Sequence, residues 1–263
     1  MNITNRYTTD LLVIGGGIAG LMAAITAADK GVKDIIVMEK ANIVRSGAGG
    51  GGNDHFRCYL PEIHGDTPED FRAVMAESMN CHTGNGQDSI LAKLFLERSA
   101  EVVHQWEDWG INMRPTGEYM FAGHAFPNRP RIFLKYDGAR QKPILAQETK
   151  KRGIRVLNDT SSTDILSVDG KIAGALALNA ASENPEFTLV QCRGYCHGMQ
   201  HAPLQQRSHA GLDVQLYLSG LQRGCHGPSL PHRCPLCEHG TSCALGWPQI
   251  LPALRQGQLD RCT

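Results

Sequence analysis

An α/β fold is what this chain predicts: a parallel sheet, extended by an antiparallel β ribbon and followed by an irregular C-terminal tail. Three observations predict it. An apolar run at 11–14 leads directly into Gly15, Gly17 and Gly20. A helix and a second apolar strand (34–38) follow, and that strand ends at Glu39. Further on, two β-rich runs, 163–168 and 172–178, flank Asp169-Gly170, a tight hairpin turn.

The continuous apolar run 11–14 has the pattern of a strand buried on both faces. The glycines behind it have the spacing G-x-G-x-x-G, and each has its own task. Gly15 permits the tight turn, Gly17 lets a pyrophosphate approach the backbone, and Gly20 lets the helix pack close to the strand. The helix from Ile18 to about Lys30 places Leu21, Ala24, Ile25 and Ala28 on one stripe, and Gly31 ends it. Its N-terminal N–H groups point at the phosphates. Glu39 then stands about twenty residues past the turn, where an acidic side chain accepts from a ribose hydroxyl. The spacing alone is weak evidence; strand, glycines, helix, strand and terminal Glu in one unit are strong evidence for dinucleotide binding.

With 263 residues the chain has ample length for a core. A formal net charge of +0 gives no footprint for nucleic acid or an anionic membrane surface. The stretch 11–28 is apolar, yet it holds four glycines, follows Asp10 and lacks a basic leader, so neither a signal peptide nor a membrane span is expected. Cytoplasmic localisation is expected. The polar leader, residues 1–9, is expected to fray.

After Glu39 the span 40–56 is rich in glycine (Gly47 and Gly49 to Gly52) and suits backbone lying flat against a ligand; a flexible linker is the bland alternative. Thr67 is a helix N-cap with Pro68 at the first helical position, and this helix runs to about Met79. A longer helix covers about 88–109, with Leu91, Leu94, Val102, Trp106 and Trp109 inward; the two tryptophans read as core rather than as a stacking platform. Residues 116–140 are irregular, and His124, Arg129 and Arg131 there are either contacts for an anionic substrate or solvated loop charges. A helix at 142–152 closes at Gly153, and strands at 154–157 and 186–190 complete the reading.

These residues resemble the flavoprotein subunit family of fumarate reductase and succinate dehydrogenase, which also includes L-aspartate oxidase and the alpha subunit of adenylylsulfate reductase. The likeness covers about 8–190. The turn Gly15, Gly16, Gly17, Ile18, Ala19, Gly20 is similar to the family's glycine turn, and Glu39-Lys40 stands where members bind the ribose of FAD. Arg45, Ser46 and Gly47, with the glycines up to Asn53, resemble the segment over the flavin ring; the Arg-Ser-Gly-Ala form is like the adenylylsulfate reductase branch. Trp109-Gly110-Ile111 also fits. The resemblance implies a Rossmann-like FAD-binding domain and hydride transfer between flavin and a small anionic substrate. It also suggests, as partner, an iron–sulfur electron-transfer protein. Members that attach FAD covalently carry a His directly after Arg-Ser; here Gly47 stands there, which implies non-covalent FAD. His55 is the best local candidate for a polar contact, and no catalytic residue is assigned.

The tail departs from this pattern. After Val190 the family has an apolar strand ending in a glycine turn beside the FAD, whereas this chain reads Gln191-Cys-Arg-Gly-Tyr-Cys-His-Gly198. No Lys follows Lys171 and no Phe follows Phe187, while seven cysteines (192, 196, 225, 234, 237, 243, 262) crowd the remainder. A small zinc module around Cys234 and Cys237 is one explanation, although the spacings match no defensible zinc pattern. A shifted reading frame is favoured, giving a partial FAD-binding domain at 1–190 and an aberrant, poorly ordered tail at 191–263. Such a chain is expected to bind FAD weakly at best and to have no turnover alone. Two other function classes stand beside the oxidoreductase: a non-catalytic nucleotide- or zinc-binding module, and an NAD-dependent dehydrogenase. The Arg-Ser-Gly segment and the ribbon argue against the dehydrogenase.

Overall fold

The computed structural model describes residues 3–80, 89–122, 128–179, 181 and 184–198. The chain opens with β1 (Ile3–Ile14), α1 (Ile18–Asp29) and β2 (Ile35–Met38). Gly31, at φ 94°, ends α1 as expected. After β2 come β3 (His55–Arg57), α2 (Pro61–His64), α3 (Pro68–Asn80), α4 (Ser89–Asp108), β4 (Met120–Ala122), β5 (Phe133–Lys135) and α5 (Gln141–Lys151). The last strands are β6 (Arg155–Leu157), β7 (Thr160–Val168), β8 (Lys171–Asn179) and β9 (Glu186–His197).

Six strands form one sheet in the order β6-β2-β1-β9-β8-β7. The β6, β2, β1 and β9 strands are parallel, as the βαβ pattern requires. The β7–β8–β9 ribbon is antiparallel and turns at Asp169 (φ 51°) and Gly170 (φ 75°), the left-handed pair of a tight hairpin. Alternate residues of β1 and β2 serve opposite faces. Leu11, Val13, Ile35 and Val37 join Leu21, Ala24 and Ile25 of α1 and Ile144 and Leu145 of α5 in one buried cluster. Leu12, Ile14, Ile36 and Met38 share the other with Ala175, Ala177 and Val190.

A smaller antiparallel sheet, β3-β5-β4, lies beside α3 and α4. Tyr59, Val74, Phe95, Leu96 and Ile132 form its buried cluster. The cap of α3 is reciprocal: Thr67 Oγ accepts from the Asp70 N–H at 3.2 Å, while the Asp70 carboxylate accepts from the Thr67 N–H at 3.2 Å. Trp106 is core at 1% exposure, whereas Trp109 is half-buried with the Arg152 guanidinium 5.3 Å over its ring.

The structure corrects several expectations. From Ile3 onward the leader does not fray: β1 begins there and pairs with β9 from Phe187 onward, because alternate residues face inward along a strand that has a neighbour to pair with. The inner face of α4 is Ala92, Phe95, Leu96, Ser99, Val103 and Trp106, rotated from the expected stripe, so that Leu91, Leu94 and Val102 are half-buried. Within the span read as irregular, the three-residue strands β4 and β5 pair with one another. The last strand does not end at Val190 but continues to His197, held by β1 along its length. Cys81, His124 and the tail from 199 lie outside the described residues.

Candidate functional site

The glycine turn sits where β1 meets α1. Gly15 turns the chain at φ 99° and donates its N–H to the Met38 carbonyl at 2.8 Å. Gly17 is the N-cap of α1, which has no side-chain cap and no acidic residue in its first turn. The free N–H groups of a first helical turn carry partial positive charge, so this end is open to an anion. Close approach explains the neighbouring glycines. A β-carbon on Gly20 would lie 1.8 Å from the Gly15 carbonyl oxygen, and one on Gly47 would lie 2.9 Å from the Gly17 α-carbon.

Gly198 belongs to this cluster, and sequence reasoning missed it. Its N–H donates to the Ile14 carbonyl at 2.8 Å, and a β-carbon there would lie 2.6 Å from the Gly20 α-carbon. The end of β9 thus brings a glycine against the turn, although its sequence departs from the family pattern. The available signal was a glycine directly after the strand.

Glu39, 5% exposed, ends β2 below the turn. One carboxylate oxygen accepts from the Gly16 N–H at 2.5 Å and the other from the Ala41 N–H at 2.9 Å. Each oxygen retains a second acceptor site, enough for a ribose hydroxyl. Lys40 and Arg45 are exposed, while Ser46 is buried and donates to the Gly16 carbonyl at 3.3 Å. The glycines after it form tight turns rather than a linker: Gly50 donates to the Gly47 carbonyl at 2.9 Å and Gly52 to the Gly49 carbonyl at 3.2 Å. A β-carbon on Gly50 would lie 1.7 Å from the Arg45 carbonyl oxygen. Asn53 is exposed, and its carbonyl accepts from Gly138 at 3.0 Å.

Two residues at the start of α5 were not singled out from the sequence. Gln141 donates to the Gly49 carbonyl at 2.9 Å and accepts from the Tyr136 hydroxyl at 2.6 Å. Lys142, 1% exposed, donates through Nζ to the Gly16 carbonyl. Burial pushes its ammonium down to about 8, with the Glu39 carboxylate opposing that shift. In sequence such a lysine looks like any solvated residue at a helix start.

Other candidates stand apart from the turn. His55 is exposed on β3, its ring nitrogen 2.5 Å from the Asp54 carboxylate. Arg129 lies 3.4 Å from Glu77, and Arg131 is exposed. Among the described residues no group of three or more His, Cys, Asp or Glu is placed to hold a metal ion. Cys58 and Cys192 are burial-raised thiols, Cys192 up to about 11, and so are poor nucleophiles.

The open helix N-terminus, the side-chain-free cradle at Gly17, Gly47 and Gly198, and Glu39 beneath it fit a dinucleotide diphosphate and its ribose. The FAD binding domain family matches residues 10–214. The chain belongs to that family. A fumarate reductase (CoM/CoB) polypeptide of Methanothermobacter marburgensis is 26% identical over 193 residues, covering 68% of this chain and 33% of that protein. NADH:acrylate oxidoreductase of Vibrio harveyi is 25% identical over 239 residues, covering 67% of this chain and 23% of that protein. Among solved structures, adenylylsulfate reductase from Archaeoglobus fulgidus aligns with TM-score 0.61 at 24% identity, over 79% of this chain and 33% of that one. The structural likeness shows the shared fold. This FAD-family chain spans about a third or less of the length of these relatives.

Proposed function

We propose that this chain is part of a flavoprotein oxidoreductase that binds FAD non-covalently and acts on a small anionic substrate. The observation that carries the reading is the convergence of Gly17, Gly47 and Gly198 at the uncapped N-terminus of α1, with Glu39 beside it. Bound FAD supplies the hydride chemistry; the protein supplies binding and orientation. Gly17, Ile18, Ala19 and Gly20 would hold the diphosphate through backbone N–H groups, while Gly15 and Gly16, whose N–H groups are taken by Met38 and Glu39, form the turn that lets it approach. Glu39 and Lys40 would take the ribose, and Arg45, Ser46, Gly47 and Asn53 would lie along the flavin. Gly47 offers no side chain for a covalent link, which supports free FAD. Fumarate reductase and adenylylsulfate reductase among the relatives support an anionic substrate and, through the resemblance, an iron–sulfur partner. Among the described residues no helix is long and apolar enough to cross a membrane; we propose a cytoplasmic setting.

The change of composition after Val190, with no Lys, no Phe and seven cysteines, supports the reading that the tail at 191–263 comes in part from a shifted reading frame, and we propose that the 263 residues alone do not turn over substrate. FAD titration, followed by flavin fluorescence and visible absorption, tests the reading. Micromolar or weaker FAD binding with no turnover of fumarate or a sulfur oxyanion is the expected result. Binding of NAD in preference to FAD, or substantial turnover by the 263-residue chain, would overturn it.

A further inference from the structure

Among the described residues, Lys142 is one of the largest fully buried side chains, in the company of Trp106, Leu12 and Leu21. An ammonium taken out of water is a liability to a fold unless something requires it there. The buried residues of α5 include the apolar Ile144 and Leu145 beside the polar Gln141, Glu148 and Thr149. What Lys142 reaches is the Gly16 carbonyl, which also accepts from Ser46 at 3.3 Å. The other end of the same residue, the Gly16 N–H, is held by Glu39 at 2.5 Å. Gly16 is therefore fixed at both ends by side chains from β2, the Ser46 loop and α5.

Peptide planarity turns this into a consequence for ligand binding. The Gly16 C=O and the Gly17 N–H belong to one trans peptide and point in opposite directions. Holding the carbonyl toward Lys142 aims the Gly17 N–H away from it, among the open donors of the α1 N-terminus. The ammonium also balances the Glu39 carboxylate, whose negative charge would otherwise oppose a diphosphate nearby. From the adjacent position Gln141 holds the Gly49 carbonyl, so the first turn of α5 secures both glycine segments of the site.

We propose that Lys142 is a positioning residue of the FAD site, setting the Gly16–Gly17 peptide for the diphosphate and balancing Glu39, at a cost to the stability of the fold. This rests on the FAD reading above. The test is Lys142→Met in the 263-residue chain, compared with wild type by three measurements. Without FAD, the melting temperature is expected to stay equal or rise, and hydrogen exchange across 15–21 to quicken about tenfold while β2 is unchanged. FAD affinity is expected to weaken about tenfold or more. A variant that fails to fold, or melts more than about 5 °C lower, overturns the proposal in favour of a structural role. Unchanged exchange across the turn also overturns it, as does equal FAD affinity in the two proteins. If wild type itself binds no FAD, the function reading fails on its own, and exchange in the FAD-free proteins still decides whether Lys142 sets the turn.

Discussion

At Gly20 an added β-carbon would lie 1.8 Å from the Gly15 carbonyl oxygen, whereas at Gly17 it would meet only ordinary contacts, at 3.9 and 4.0 Å. The two glycines should therefore fail differently. Gly20→Ala is expected to cost about 3 kcal/mol or more, read by urea unfolding, because backbone atoms have to move. Gly17→Ala is expected to leave the unfolding midpoint in place and weaken FAD binding about tenfold or more; a stability loss equal to that of Gly20→Ala would refute the assignment. Lys142 carries a pH signature. Its folded value of about 8 lies below the unfolded 10.5, so between those values the unfolded chain holds a proton that the folded chain has released. Stability from this group rises with pH through the window, and below it burial of the charge costs about 3 kcal/mol. Lys142→Met is expected to exceed wild type in stability at pH 7, with the gap closing towards pH 10.5 in parallel denaturation series.

The elements that could be read from sequence were those with an apolar run and a punctuating residue. The unit β1–α1–β2 announced itself through Gly15, Gly31 and Glu39, and the β7–β8 hairpin through Asp169-Gly170. The α3 cap was equally plain, and Thr67→Ala is expected to cost about 1 kcal/mol by thermal or urea unfolding. Strands β3, β4 and β5 were not legible because three residues are too short for a period of two to show. The first half of β1 and the second half of β9 were hidden for another reason. Each is polar enough to pass for loop, and each is a strand because the other lies beside it. At the candidate site, the glycine turn and the place of Glu39 just after β2 could be read from spacing. Gln141 and Lys142 could not, since their parts depend on contacts made across long stretches of chain, and Gly198 left only the hint of a glycine directly after a strand.

For the whole molecule, the decisive pairing joins Ile3 through Ile14 to Phe187 through His197. Chains ended after Gly198 and after Val190 should behave very differently. The longer is expected to melt cooperatively, and the shorter to lose the transition, because it gives up every β9 partner of Thr8 to Ile14. Calorimetry on both would decide; two equal transitions would show that β9 beyond Val190 adds nothing. The same pairing governs the order of events during synthesis. β1 is made first and can meet β2 early, but its other edge stays bare until β9 has been translated. Loop-closure entropy is paid over nearly the whole described chain before that contact rewards it, so folding should be slow for a domain of this size. Throughout that interval a long, partly apolar strand edge is open to other chains. The newborn domain thus has its nucleotide turn drawn early and its sheet closed late, and it is most vulnerable to aggregation in the time between.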